Sequence, residues 1–73
     1  MTAQQMIQLR NRIPFEPLEI HLTDGTHIRV EHPYEISTAP KCAVCSIFND
    51  ADGLMRIVAF RNITEVVTKA TAS

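Results

Sequence analysis

Between residues 18 and 31 hydrophobic and polar positions alternate: Leu18, Ile20 and Leu22 against Glu19, His21 and Thr23, then Ile28 and Val30 against His27, Arg29 and Glu31. A period of two is that of a strand with one face buried, so residues 18–23 and 26–32 are expected to form a hairpin around Asp24-Gly25. Its turn length follows from parity. Paired residues share a face, and the apolar positions of both arms are even-numbered, so paired numbers must have an even sum. A two-residue loop at Asp24-Gly25 gives an odd sum. A three-residue loop, Thr23-Asp24-Gly25, with the glycine in the left-handed region, pairs Ile20 with Ile28 and Leu18 with Val30. On the other face it sets Glu19 opposite Arg29 and His21 opposite His27.

Before this hairpin the period changes. Thr2 and Gln5 have the spacing of a capping box, and a helix is expected from about residue 3 to residue 11. Ala3, Met6, Ile7 and Arg10 would share its covered face, with Ile13 beyond, and Ile13-Pro14 would close it. Phe15-Glu16-Pro17 reads as an extended linker. After the hairpin, His32-Pro33-Tyr34 breaks the second strand, since proline lacks a ladder donor, and residues 35–40 read as irregular. Strands are expected at 42–48 and 54–60, joined by an acidic loop, Asn49-Asp50-Ala51-Asp52-Gly53. Both are apolar on both faces, so Cys42, Val44, Ile47, Phe48, Ile57, Val58 and Phe60 are all expected to be buried in a barrel or an interface. A 3₁₀ turn at residues 61–63 precedes a last strand at 64–68 and a frayed tail at 69–73.

Composition narrows the class. A chain of 73 residues forms a single domain, 1–73, and a core of this size rarely supplies more than about 3–5 kcal/mol without a metal, a disulfide or a partner subunit. It is 45% hydrophobic and 21% charged, which is globular rather than disordered. Seven basic residues against eight acidic ones create no global positive field to gather phosphates. The opening Met1-Thr2-Ala3-Gln4-Gln5 has no signal-peptide pattern, and no apolar run approaches the ~20 residues needed to cross a bilayer, so the expectation is a cytoplasmic protein without a membrane partner. Cys42 and Cys45 would then be thiols.

A helix, four strands with mostly tight connections, a 3₁₀ turn and a closing strand is the element order of SH3-like small barrels, Sm-like proteins among them. Residues 18–25 resemble the first strand and turn of an Sm fold, and Phe60-Arg61-Asn62-Ile63-Thr64-Glu65-Val66-Val67 is similar to the second Sm motif. His32-Pro33-Tyr34-Glu35 stands where the first Sm motif places the Asp and Asn that hold a nucleobase. The run from Pro14-Phe15-Glu16-Pro17 to Asp24-Gly25, with His32-Pro33 after it, also resembles a family of short uncharacterised bacterial proteins that brings no activity with it. The resemblances imply a mainly β fold: an N-terminal helix followed by a five-stranded antiparallel SH3-like/Sm-like small barrel.

Candidate chemistry is sparse. Cys42-Ala43-Val44-Cys45 has the spacing of half a zinc site or of a redox pair, but residues three apart on a strand face opposite ways, no second pair exists and no helix start follows, so two buried structural cysteines are the expectation. His21 and His27, with His32 nearby, could bind a divalent ion or respond to pH, against the plainer reading of a solvated polar face. The acidic loop begins like a calcium loop but has no closing carboxylate downstream, which leaves an ordinary hairpin turn. With two glycines, no phosphate loop and no nucleophile–base spacing, neither enzymatic activity nor a cofactor is expected. The leading expectation is a non-enzymatic interaction module that forms homo-oligomers. One alternative is single-stranded nucleic-acid binding in the Sm manner through Arg61 and Asn62, helped by Arg29, Arg56 and Tyr34. The other is a metal-responsive protein using Cys42, Cys45 and the histidines.

Overall fold

A computed structural model describes residues 1–69 of the chain. Its elements run α1 (Ala3–Arg10), β1 (Leu18–Leu22), β2 (His27–Val30), β3 (Ile36–Ser37), β4 (Val44–Asn49), β5 (Leu54–Ala59) and β6 (Ile63–Thr68), with 3₁₀ turns at Pro33–Glu35 and Phe60–Asn62. The frayed tail expected from residue 69 lies, from Ala70 onward, outside the described residues.

The helix starts where the capping box puts it. Thr2 Oγ1 accepts the Gln5 N–H at 3.2 Å, and Gln5 Oε1 accepts the Thr2 N–H at 2.9 Å. Ala3 and Met6 are buried and Leu9 packs beside them, while Ile7 and Arg10 are half-buried. Ile13 does not continue this face: the helix stops at Arg10, so helical spacing no longer applies, and Ile13 is 96% exposed.

The first hairpin has the register that parity requires, Leu18 with Val30, Glu19 with Arg29, Ile20 with Ile28 and His21 with His27. Leu22 and Thr26 close the loop, Leu22 N–H donating to Thr26 O at 2.9 Å, and Gly25 takes φ +89°. Against the other side of β1 lies β6, antiparallel, with Ile20 opposite Val66 and His21 opposite Glu65. This sheet is ordered β2-β1-β6, and a second is ordered β3-β4-β5.

Among the described residues the expected five-stranded barrel is therefore corrected to six strands in two three-stranded antiparallel sheets, with no closed barrel. The 3₁₀ turn begun by Pro33 ends the long second strand at Val30 and starts a short separate one, β3, in what read as an irregular stretch. The sheets meet over a core of Leu18, Ile20, Ile28, Val30, Ile36, Cys45, Ile47, Val58, Phe60 and Ile63, with Ala3 and Met6 from α1.

The burial expected for the third and fourth strands holds for one face only. Cys45, Ile47, Val58 and Phe60 are buried, but Cys42, Val44, Phe48 and Ile57 are exposed. Each sheet spends one face on the shared core, and among the described residues the outer side chains of β4 and β5 remain open to solvent.

Among the described residues one charged residue, Glu35, is buried. Glu35, 3% exposed, accepts the backbone N–H groups of Glu31 (2.7 Å) and His32 (2.9 Å) on Oε1 and of Asp50 (3.0 Å) on Oε2. The 3₁₀ turn at Pro33–Glu35 is thus fastened to the far end of the β4–β5 hairpin, where Tyr34 also donates its hydroxyl to Asp50.

Candidate functional site

The β4–β5 register sorts the exposed apolar residues. Val44 faces Ala59, Ser46 faces Ile57 and Phe48 faces Met55 across the ladder, so all six share one side of the hairpin. Met55 is 64% and Ile57 is 74% exposed, and Val44 and Phe48 are exposed beside them. No charged side chain stands in these positions. β5 is also the outer strand of its sheet, so one row of its backbone N–H and C=O groups has no partner strand among the described residues.

The outer face of the other sheet is polar and more ordered. His21 occupies its middle strand, with His27 across on β2, Glu65 across on β6, and Glu19 two residues along β1. The two imidazoles stack with centroids 3.8 Å apart and planes 6° from parallel. Glu19 Oε1 lies 2.7 Å from His21 Nε2 and 3.7 Å from His27 Nδ1, while Glu65 Oε1 lies 3.1 Å from His21 Nδ1. The His21 hydrogen bond holds the Glu19 carboxyl below its ordinary range, and the charges of His21, His27 and Arg29 act in the same direction. Among the described residues, Glu19, His21 and His27 form the one group of three that offers ligand atoms within 4.8 Å of one another.

The cysteines belong to no such group. Cys42 is exposed ahead of β4, whereas Cys45 points into the core, where burial pushes its thiol above the ordinary value. The acidic loop turns its side chains onto its own backbone: Asn49 Oδ1 accepts the Ala51 N–H and Asp52 Oδ1 the Leu54 N–H, both at 2.9 Å.

The residues named for nucleic acid are dispersed over the surface. Arg61 lines a groove with Lys41, Cys42 and the start of α1, while Asn62 faces Thr23 and Asp24 across another. Arg29 is 2.7 Å from Glu31, and Arg56 is on the inner side of β5, opposite Ile47. Tyr34 stacks on His32 at 5.1 Å, and its hydrogen bond to Asp50 raises the phenol above its ordinary range.

Sequence reasoning missed two participants. Glu65 was within reach only once β6 was known to pair with β1, a contact across more than forty residues of chain. Glu35 had a signal, its place three residues after His32 in the pattern of a capping box, but not with an ordinary N-cap residue.

No protein-family model matches the chain, and no curated protein and no solved structure matches it. Among the described residues no helix is long and apolar enough to cross a membrane.

Proposed function

We propose that the protein is a non-enzymatic interaction module that associates with a second copy of itself through the outer face and free edge of the β4–β5 hairpin. The observation that carries this reading is the combination of an open strand edge with an uncharged apolar face on one element. Edge strands that stay solitary are blunted by proline, by charge or by brevity. β5, Leu-Met-Arg-Ile-Val-Ala, has no proline and one charge, and Arg56 is on the opposite face from Met55 and Ile57.

A second β5 is the occupant that satisfies both features. It offers the same unpaired backbone groups, and antiparallel pairing about a two-fold axis would join the β3-β4-β5 sheets of two copies into one. The same operation brings Met55 and Ile57 of each copy side by side, shielding part of the most exposed apolar surface of the hairpin from water. The element order also supports reading the fold as a relative of SH3-like and Sm-like small barrels, opened between its two sheets.

Light scattering on size-exclusion fractions across a concentration series tests the reading. The expected result is a dimer or higher oligomer that Ile57→Glu converts to monomer with an unchanged circular dichroism spectrum. A strict monomer at the highest attainable concentration would overturn it.

A second reading, binding of single-stranded nucleic acid in the Sm manner, is favoured by the shared groove of Lys41 and Arg61. It calls for measurable affinity for single-stranded RNA at low salt that falls steeply as salt rises, and no binding at low salt would end it.

A further inference from the structure

The geometry points to a divalent transition-metal site on the outer face of the β2-β1-β6 sheet, with Glu19, His21 and His27 as ligands and Glu65 orienting His21. Two imidazoles alone would make a weak site. The fold adds to them one carboxylate oxygen that both rings approach, Glu19 Oε1, at 2.7 and 3.7 Å. It is independent of the self-association reading, since these residues lie on the other sheet from β5.

The distances suit an ion. Zinc binds imidazole nitrogen and carboxylate oxygen at about 2.0–2.2 Å, which puts neighbouring ligand atoms of a tetrahedral site roughly 3.4 Å apart. The three ligand atoms already lie within 4.8 Å of one another. Glu19 and His27 are the more exposed members, and rotation of their side chains supplies the adjustment, widening the 2.7 Å separation of Glu19 from His21 and narrowing the 3.7 Å one from His27. Glu19 Oε1 and His21 Nε2, 2.7 Å apart, separate to admit the ion between them.

The surroundings of His21 are those of a ligating histidine. A metal-bound imidazole ordinarily donates its other N–H to a carboxylate or carbonyl, which fixes its tautomer and its orientation. With Nε2 turned to Glu19, Nδ1 meets Glu65 Oε1 at 3.1 Å from the adjacent strand. The His21 side chain is only 20% exposed, and its backbone carbonyl is anchored by Thr64 Oγ1 at 3.1 Å. All four residues are on paired strands rather than on loops, which holds their backbones in fixed register.

The donor set selects the class of ion. Two nitrogens and a carboxylate suit zinc, nickel, cobalt or copper(II), and the set lacks the six or more oxygens that calcium prefers. With both imidazoles neutral, Glu19 and Glu65 balance the two charges of the ion, while Arg29 is engaged by Glu31 at 2.7 Å. Three protein ligands leave a coordination position open to water. Because imidazole binds a metal only in its neutral form, affinity falls as pH is lowered.

The test uses the full chain, purified without a histidine tag, stripped with chelator and titrated with cobalt(II) and zinc(II) at neutral pH. The expected result is one equivalent of each ion, with cobalt d–d absorption and no thiolate charge-transfer band. His27→Ala and Glu19→Gln should each weaken binding by about tenfold or more, and Glu65→Gln, which removes an orienting contact, by roughly tenfold. Cys42→Ser should leave binding unchanged. Absence of stoichiometric binding, a thiolate band, or affinity unaltered in His27→Ala would overturn the assignment. His27 is an exposed strand residue, so that variant remains informative even if Glu19→Gln is poorly folded.

Discussion

The carboxylate of Glu35 accepts the backbone N–H of Asp50 at 3.0 Å, tying the 3₁₀ turn after β2 to the loop that ends β4. Two further N–H groups, from Glu31 and His32, share its other oxygen. Hydrogen bonds to a charged group contribute about 1.5–3 kcal/mol each, and a buried donor left alone costs a comparable amount. Glu35→Gln keeps the shape but loses the charge, and should destabilise the fold by about 2 kcal/mol in urea or guanidinium unfolding. Glu35→Ala, which strands all three donors, should cost more. An unchanged midpoint for both variants would show that the latch contributes nothing.

The same group sets an acid limit. Burial alone would raise the Glu35 carboxyl, but the N–H groups of Asp50, His32 and Glu31 outweigh it and hold the group below its ordinary value of 4.5. Between the folded and unfolded values the unfolded chain binds more protons, so stability falls as pH falls. The Glu35 contribution should be complete above about pH 4.5 and disappear as the pH drops through the lower, folded value. Unfolding free energies measured from neutral pH downward should show this slope, and Glu35→Gln should flatten it.

Gly25 makes the turn parity testable. Its φ of +89° lies where a side chain is strained, yet an added Cβ would meet nothing within 4 Å. The whole effect of Gly25→Ala is therefore conformational, about 1–2 kcal/mol. Gly25→Asn should cost less, since asparagine tolerates the left-handed region better. Equal stability of wild type and Gly25→Ala would mean that the loop relaxes to another conformation.

What the chain reveals in advance depends on how local the signal is. The first hairpin was legible to the residue, because strict alternation and a three-residue loop leave one register for Glu19, His21, His27 and Arg29. The faces of β4 and β5 were not, because Val44, Phe48, Met55 and Ile57 are as apolar as the buried Cys45, Ile47 and Val58, and hydrophobicity without alternation cannot name the inward side. The candidate metal site was half legible for a related reason: the two histidines are hairpin neighbours, but Glu65 joins them only through the β1–β6 pairing, which no short-range pattern encodes.

Cys45 gives a direct probe of which face of β4 is buried, with Cys42, just ahead of the strand, as its reference. Cys42 is exposed, whereas Cys45 is paired opposite Val58 within the core and its thiol is pushed above the ordinary value by burial. Alkylation proceeds through the thiolate and needs access, so both factors slow Cys45, whereas Cys42 is accessible. Mass spectrometry during alkylation under native conditions should show one adduct forming quickly and the second only after denaturant is added. The slow rate also measures how often β4 leaves the core, because Cys45 can react only from an opened state. Destabilising variants such as Glu35→Gln should therefore accelerate the second adduct without changing the first. If both thiols reacted at similar rates in the native protein, Cys45 would not be facing inward, and the apolar outer face of the β4–β5 hairpin would have to be reassigned.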